Sequence, residues 1–368
     1  MQDPTRDRER RLMPSHEPRT VLVVEPNHRG HRLMYVRLLA DAAAGLGARV
    51  VVVIAESALG SPEAQAHLSD LPAATAVRAE HELAVRDVER ISREVHADRV
   101  VVPDGDRFAL RVGLVGSWRG SGGLAVLVMR ARRQPARLSA LTWAVKRRLL
   151  HRAAQVPRVD VVALVSALDT GPHAAPCAPD PVALCAGAAD VEALRAAWDL
   201  SPDRYWFGVL GVVSGRKNLD LVLAALARSA LQGVGVVVGG RLDAAVVEGT
   251  REVVDELRSR GVDVRVENRH LSNTEFDAAI AAVDCVIVAH DNEGPSGVLA
   301  KAVRAGTRVL AAGAHSLRED AALRPDVVSW SESTLVALVD HLRQVRGMPA
   351  PAPALDLGSE DFCRALLR

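Results

Sequence analysis

The stretch that decides the fold is VIVAHDNEGPSGVLAKAVRAGTRVLAAG, Val286 to Gly313. Its first residues, Val286–Ala289, are uninterruptedly apolar, which predicts a strand covered on both faces. A polar loop follows, and Glu293-Gly294-Pro295-Ser296-Gly297 leads into a helical pattern over Ser296–Ala305. A second short apolar run, Val309–Ala311, predicts the next parallel strand. Pro295 suits a first helical position, Gly294 and Gly297 permit close backbone approach, and Ser296 offers a hydroxyl and an N–H. Strand, glycine turn and helix N-terminus together can receive an anion, because the first amides of a helix lack internal partners and the helix dipole is positive there. Glu293, just ahead of these donors, can accept hydrogen bonds from sugar hydroxyls, or serve only as an acid near a helix N-terminus.

The same alternation runs through the chain. In the first half it predicts strands at Thr20–Val24, Arg49–Ile54, Asp98–Val102, Leu124–Met129 and Val159–Val165, with helices at Gly30–Leu46, Glu80–His96 and Leu138–Ala154. In the second half strands are expected at Trp206–Leu210, Val234–Val238, Val262–Val266, Cys285–Ala289, Val309–Ala311 and Val327–Ser329. Helices are expected at Asn218–Leu231, Ala244–Arg260, Asn273–Val283, Ser296–Ala305, Ser333–Val345 and Glu360–Leu367. Between them the composition turns to Pro, Ala and Gly without a period. The expected organisation is a disordered lead-in (1–19), a Rossmann-like acceptor-side domain (20–168), a linker (169–190), a Rossmann-like nucleotide-sugar domain (191–350) and a C-terminal tail and helix (351–368). Two doubly wound α/β domains of this kind bind ligands at the carboxyl ends of their strands, in a cleft.

The 368 residues are too many for one ordinary core, and 49% of them are hydrophobic. Cys177, Cys185, Cys285 and Cys363 have no metal-like spacing and suit a reducing compartment, so a cytoplasmic location is expected. The charged N-terminus has no apolar core of a signal peptide, and no apolar run has the length of a membrane span. A net charge of +1 argues against a general nucleic-acid binder. Its distribution is uneven: twelve Arg/Lys and no Asp or Glu lie between Arg107 and Arg158. The helix expected there carries Trp143, Lys146, Arg147, Arg148, His151 and Arg152 among leucines. Such a face suits peripheral contact with an anionic membrane, an acidic acceptor, or plain solvent. Only three of the 46 basic residues are lysines, Lys146, Lys217 and Lys301, so each lysine is a marked choice.

Lys217 stands in GVVSGRKNLD, directly after the strand Trp206–Leu210. Gly211 and Gly215 let the chain turn, and Arg216-Lys217 precede the helix opened by Asn218. Two cations beside free amides make a site for a diphosphate. In the first half, strand Thr20–Val24 ends in EPNHRGHRLMYV, which places His28, Arg29, Gly30 and His31 at a strand end. Strand Asp98–Val102 ends in Pro103-Asp104-Gly105-Asp106. Two acids are too few to hold a cation firmly, so Asp104 or Asp106 is read as a contact to an acceptor hydroxyl or a weak base, or as a structural turn. No suitable Gly-x-Gly-x-x-Gly is present, which argues against a dinucleotide-dependent dehydrogenase.

Residues from about Arg204 to Ala312 resemble the donor-binding domain of retaining, family-4-type glycosyltransferases of the GT-B fold. The likeness rests on Gly215-Arg216-Lys217 after the first strand of the second domain, Gly239-Gly240 after the next, Asp284 before a buried strand, and Glu293-Gly294-Pro295-Ser296 at its end. It implies that Arg216 and Lys217 grip the donor diphosphate, that Glu293 touches the transferred sugar, and that Gly294 to Gly297 meet sugar and phosphate through backbone groups. Arg269-His270 would lie at the nucleotide base, and the loop around Gly30, with His28 and His31, would face phosphates and acceptor. One departure is plain. Where the family pattern has a second acid for the ribose, this chain has Lys301, which can only donate to a ribose oxygen or reach a further phosphate. The expected function is transfer of a sugar from a nucleoside-diphosphate sugar to a hydroxyl acceptor, with retention and without metal or cofactor. Glu293, Arg216 and Lys217 are the expected catalytic residues. The alternatives are a non-catalytic nucleotide- or sugar-binding partner of the same fold and a sugar-nucleotide epimerase.

Overall fold

The structure, a computed structural model, describes residues 18–27, 32–129, 140–354 and 358–368. The expected lead-in up to residue 17, and His28, Arg29, Gly30 and His31, lie outside the described residues. Contacts divide the chain into two compact units, and the division runs through the sixth strand, with residues 163–365 in the second unit.

Strands β1 (Thr20–Glu25), β2 (Arg49–Ala55), β3 (Thr75–Glu80), β4 (Arg99–Val102), β5 (Gly123–Val128), β6 (Val159–Val165) and β7 (Cys177–Pro179) form one sheet in the order β3-β2-β1-β4-β5-β6-β7. Helices α1 (Arg32–Gly45), α2 (Pro62–Leu68), α3 (Val85–Glu94), α4 (Asp106–Val115) and α5 (Ala140–Ala154) alternate with its strands. The β1 run TVLVVE is buried at every position, including its closing glutamate. That is the signature of a central parallel strand, and it pairs in register with β2 and β4.

After α6 (Ala188–Ala197), the second sheet contains β8 (Tyr205–Leu210), β9 (Val234–Gly240), β10 (Asp263–Asn268), β11 (Cys285–His290), β12 (Arg308–Gly313) and β13 (Val328–Ser331), in the order β10-β9-β8-β11-β12-β13. It alternates with α7 (Leu219–Ser229), α8 (Ala244–Ser259), α9 (Asn273–Ala282), α10 (Gly297–Ala305), α11 (His315–Leu323) and α12 (Leu335–Arg346), and α13 (Ser359–Leu367) follows. Trp206 and Phe207 on β8 point to opposite faces of the sheet and anchor two separate apolar layers. Both sheets are therefore doubly wound, as the alternation predicts. Strand order reverses between β1 and β4 in the first and between β8 and β11 in the second, the points where such sheets bind ligands.

Three local expectations are corrected. The segment expected as one helix over Glu80–His96 is the end of strand β3 followed by α3. None of the β3 residues is buried on this sheet edge, so they carry no apolar run to announce a strand. The linker expected over 169–190 contains β7, whose residues pair with Ala163–Val165 of β6. Helices α2, α4, α6 and α11, none of them expected, occupy short stretches of mixed polarity.

Candidate functional site

The carboxyl ends of β8 and β11 meet at the switch point of the second sheet. Beyond β8 the backbone turns at Gly211, whose φ of +102° only glycine adopts without strain. Gly240, at the end of β9 with φ of +121°, stands so close that a Cβ on it would lie 2.1 Å from the Gly211 carbonyl oxygen. A Cβ on Gly239 would meet the Leu210 and Trp198 side chains, so the lack of a side chain there serves packing. Gly215–Lys217 then form a single 3-10 turn, and Asn218 takes a left-handed conformation before α7 begins.

This turn separates the two cations. Arg216 is exposed and forms no ion pair with a described residue. Lys217 folds back, and its Nζ donates to the Leu210 carbonyl oxygen at 2.8 Å. Burial, helped by the charge of Arg216, pushes the Lys217 ammonium down to about 8. Lysine therefore sits at the strand end as a partly desolvated donor that can lose its proton, while arginine projects as a permanent cation. His290, the last residue of β11, is buried beside them and its Nδ1 has no hydrogen-bond partner. Burial first, and the Lys217 charge next, hold its imidazole below the usual range, so it is neutral at pH 7. Sequence reasoning missed His290; a histidine closing an apolar strand was the available signal.

The opening motif lies where expected, with different internal wiring. Gly294 takes a φ of +136°, and its amide donates to Ser316 Oγ at 3.3 Å. Ser296 caps α10, its Oγ accepting from the Leu299 amide at 3.4 Å, so the hydroxyl proton is the part left to donate. The amides of Gly297 and Val298 open this helix and find no partner among the described residues. Glu293 is an acid at a helix N-terminus, but of α11 rather than α10. Its Oε1 and Oε2 each accept a backbone N–H, from His315 and Ser316, at 2.9 Å.

Lys301 is engaged differently from expectation. Its Nζ pairs with Asp277 Oδ1 and donates to the Ala183 carbonyl oxygen at 3.0 Å. The Asp277 side chain is fully buried, and its other oxygen accepts the Cys185 amide at 2.7 Å. Lys301 thus fastens α10 to α9 and to the segment before α6, and its charge is already matched within the fold. The sequence showed the lysine but not its partner, which lies 24 residues away. Arg269 and His270, beyond β10, are both exposed, but Arg269 pairs with Glu275 at 2.8 Å and Glu267 at 3.6 Å. Its guanidinium and the Ser272 amide pull the Glu275 carboxyl down to about 2.

At the switch point of the first sheet, Asp104 forms an ion pair with Arg32 Nε of α1. Asp106 opens α4, and its neighbour Gly105 packs against Val126. Glu25, not singled out by sequence, closes β1 with 1% exposure. Its Oε1 accepts the Asn27 amide at 2.8 Å, and burial pushes the carboxyl up to about 8. Among the described residues no group of three His, Cys, Asp or Glu side chains is arranged to hold a metal ion. No described helix is long and apolar enough to cross a membrane.

Comparison with solved structures places this architecture. HepE of Anabaena in complex with UDP superposes with a TM-score of 0.66 over 95% of each chain, at 15% identity. A glycosyltransferase of Rickettsia africae gives 0.65 at 10% identity, covering 95% of this chain and 93% of that one. Sucrose-phosphate synthase of Thermosynechococcus elongatus gives 0.63 at 14% identity, covering 95% and 94%. HepE has also been solved in complex with UDP-glucose. No protein-family model and no curated protein matches the sequence. At such identities the likeness is one of fold, and the fold is GT-B.

Proposed function

We propose that this protein is a glycosyltransferase that moves a sugar from a nucleoside diphosphate to a hydroxyl acceptor, by a retaining, family-4-type reaction. The observation that carries the reading is the gathering of Arg216, Lys217 and the open amides of Gly297 and Val298 at one switch point. These are donors for a leaving diphosphate. As the sugar–phosphate bond breaks, negative charge grows on the departing oxygen, and fixed cations and amides stabilise it more than they stabilise the intact donor. The two side chains supply the charge for which a divalent cation would otherwise be needed, so the proposed transfer is metal-independent. The UDP and UDP-glucose held by HepE are ligands of the same chemistry and support the reading.

Glu293, three residues beyond the end of β11, we assign to the transferred sugar. The test is calorimetry of the full chain against nucleoside diphosphates and their sugars, followed by detection of nucleoside diphosphate release. Binding of at least one nucleoside diphosphate and turnover of one sugar nucleotide are expected. Failure to bind any of them overturns the reading. Lys301, engaged by Asp277, favours the second reading, a non-catalytic nucleotide-binding protein, because no acid stands where the resembling family has its ribose acid. Tight nucleotide binding without turnover of any donor would select it. We also assign the basic stretch Arg107–Arg158 to peripheral contact with an anionic membrane from the cytoplasmic side. On α5, Leu141 and Val145 are exposed beside Lys146, which lies over the Trp143 ring.

A further inference from the structure

Helix α11 carries Ser316, Glu319, Asp320 and Leu323 at helical spacing, so the four share one face. That face lines a cavity of about 140 Å³, which the end of β6 and the loop after it also line. Every lining residue belongs to the second compact unit. Gly294 borders the cavity too, so the space adjoins the motif loop that carries Glu293. Its polar lining is rich in acceptors. Asp169 follows β6, Glu319 and Asp320 add two further carboxylates, and Asp320 forms part of the wall at 2% exposure. Ser166 and Ser316 accept the amides of Leu168 and Gly294, which leaves their hydroxyl protons to donate. Val165, Pro295 and Leu323 supply an apolar side. We propose that this cavity binds the ring of an acceptor bearing a protonated amine, an amino sugar or aminocyclitol, with the ammonium among Asp169, Glu319 and Asp320.

Size and charge argue for this ligand class. A cavity of about 150 Å³ admits benzene, so this one is on the scale of a single six-membered ring. Carboxylates accept hydrogen bonds and cannot donate, so the ligand has to bring the protons; an ammonium brings three of them with the opposite charge. A phosphate would meet like charge here, which separates this ligand from the diphosphate assigned to Arg216 and Lys217. Asp169 and Glu319 each have a histidine beside them, His173 at 3.4 Å and His315 at 3.2 Å. Both carboxylates still reach solvent, with 30% and 40% of their side chains exposed, so an entering ligand can meet them. The inference rests on the transferase reading only in making this ligand the acceptor; the binding itself does not depend on it.

The experiment is calorimetry of the full chain against methyl glucosaminide, methyl glucoside and methyl N-acetylglucosaminide, which present an amine, a hydroxyl and an amide at one ring position. The amine is expected to bind about tenfold more tightly than either neutral probe, the scale of a hydrogen bond to a charged group. Added salt should shrink that advantage, because the attraction involves partly exposed charges. Asp169→Asn and Glu319→Gln should each reduce the preference, and the double variant should bind the amine and the glucoside alike. The proposal is overturned if the parent binds the two alike, if it does not bind the amine, or if the double variant keeps the full preference. The three probes are compared in the parent protein, so that result stands even where a variant fails to fold. Nucleoside diphosphate binding in the same samples reports on Arg216 and Lys217, so its failure with the amine preference intact overturns the transferase reading alone.

Discussion

Arg216 and Lys217 are adjacent in sequence yet carry out different tasks, because a 3-10 turn sends one side chain outward and the other back under β8. Arg216→Ala is expected to weaken nucleoside diphosphate binding by about 1.5–3 kcal/mol, the range for hydrogen bonds to charged groups, with the melting temperature unchanged. Lys217 has its folded-state pKa lowered from 10.5 to about 8. For a base the sign is fixed: its burial penalty is complete below about 8 and is relieved as pH rises toward 10.5. A bound dianion favours the ammonium form, so binding near pH 8 takes up about half a proton. Calorimetry in two buffers of different ionisation enthalpy will show the uptake, and Lys217→Gln should abolish it. Glu293→Gln removes a charge from the N-terminus of α11 at about 0.5–1 kcal/mol of stability. In the transferase reading it also lowers transfer and donor hydrolysis together while sparing nucleoside diphosphate affinity. Equal turnover by parent and variant would remove Glu293 from the sugar site.

Helix α10 shows how packing reassigns a residue that the motif alone makes prominent. Counting along the helix from Ser296 places Lys301 five residues on, about one and a half turns, where a ligand-facing cation is a natural reading. Tertiary contact instead brings α9 alongside, and Asp277 captures the ammonium. Restoring the resembling family's acid by Lys301→Glu should therefore destabilise the fold by about 3–5 kcal/mol, because it sets a second carboxylate against a fully buried one. Asp277→Asn combined with Lys301→Gln should recover much of that loss in denaturant melts. If Lys301→Glu is as stable as the parent and tightens nucleotide binding, the ribose reading is restored. The turn between β8 and α7 has its own requirement. Gly240→Ala would drive a Cβ into the Gly211 carbonyl and cost roughly 2 kcal/mol or more, loosening the strand end that carries Arg216.

Charge is divided unevenly over the molecule: the stretch Arg107–Arg158 holds twelve cations and no acids in a chain of net charge +1. With Leu141 and Val145 exposed on α5, sedimentation with acidic liposomes should be strong at low ionic strength and fade as salt is added. Equal recovery with neutral liposomes would leave an ordinary solvated helix. The alternation of apolar strands with helices was legible because each buried parallel strand carries its own signature, as in TVLVVE and CVIVAH. Glycine and cation positions at strand ends were legible for a similar reason, since they answer to the local backbone. The edge strand β3 was not, because an exposed edge needs no apolar run. Nor were the pairing of Lys301 with Asp277, the capping of α11 by Glu293, or the burial of Glu25 beside Asp104. Each joins residues brought together by strand order and helix packing. Burial and partnership, which fix a side chain's charge and whether it is free for a ligand, exist only once the chain has folded.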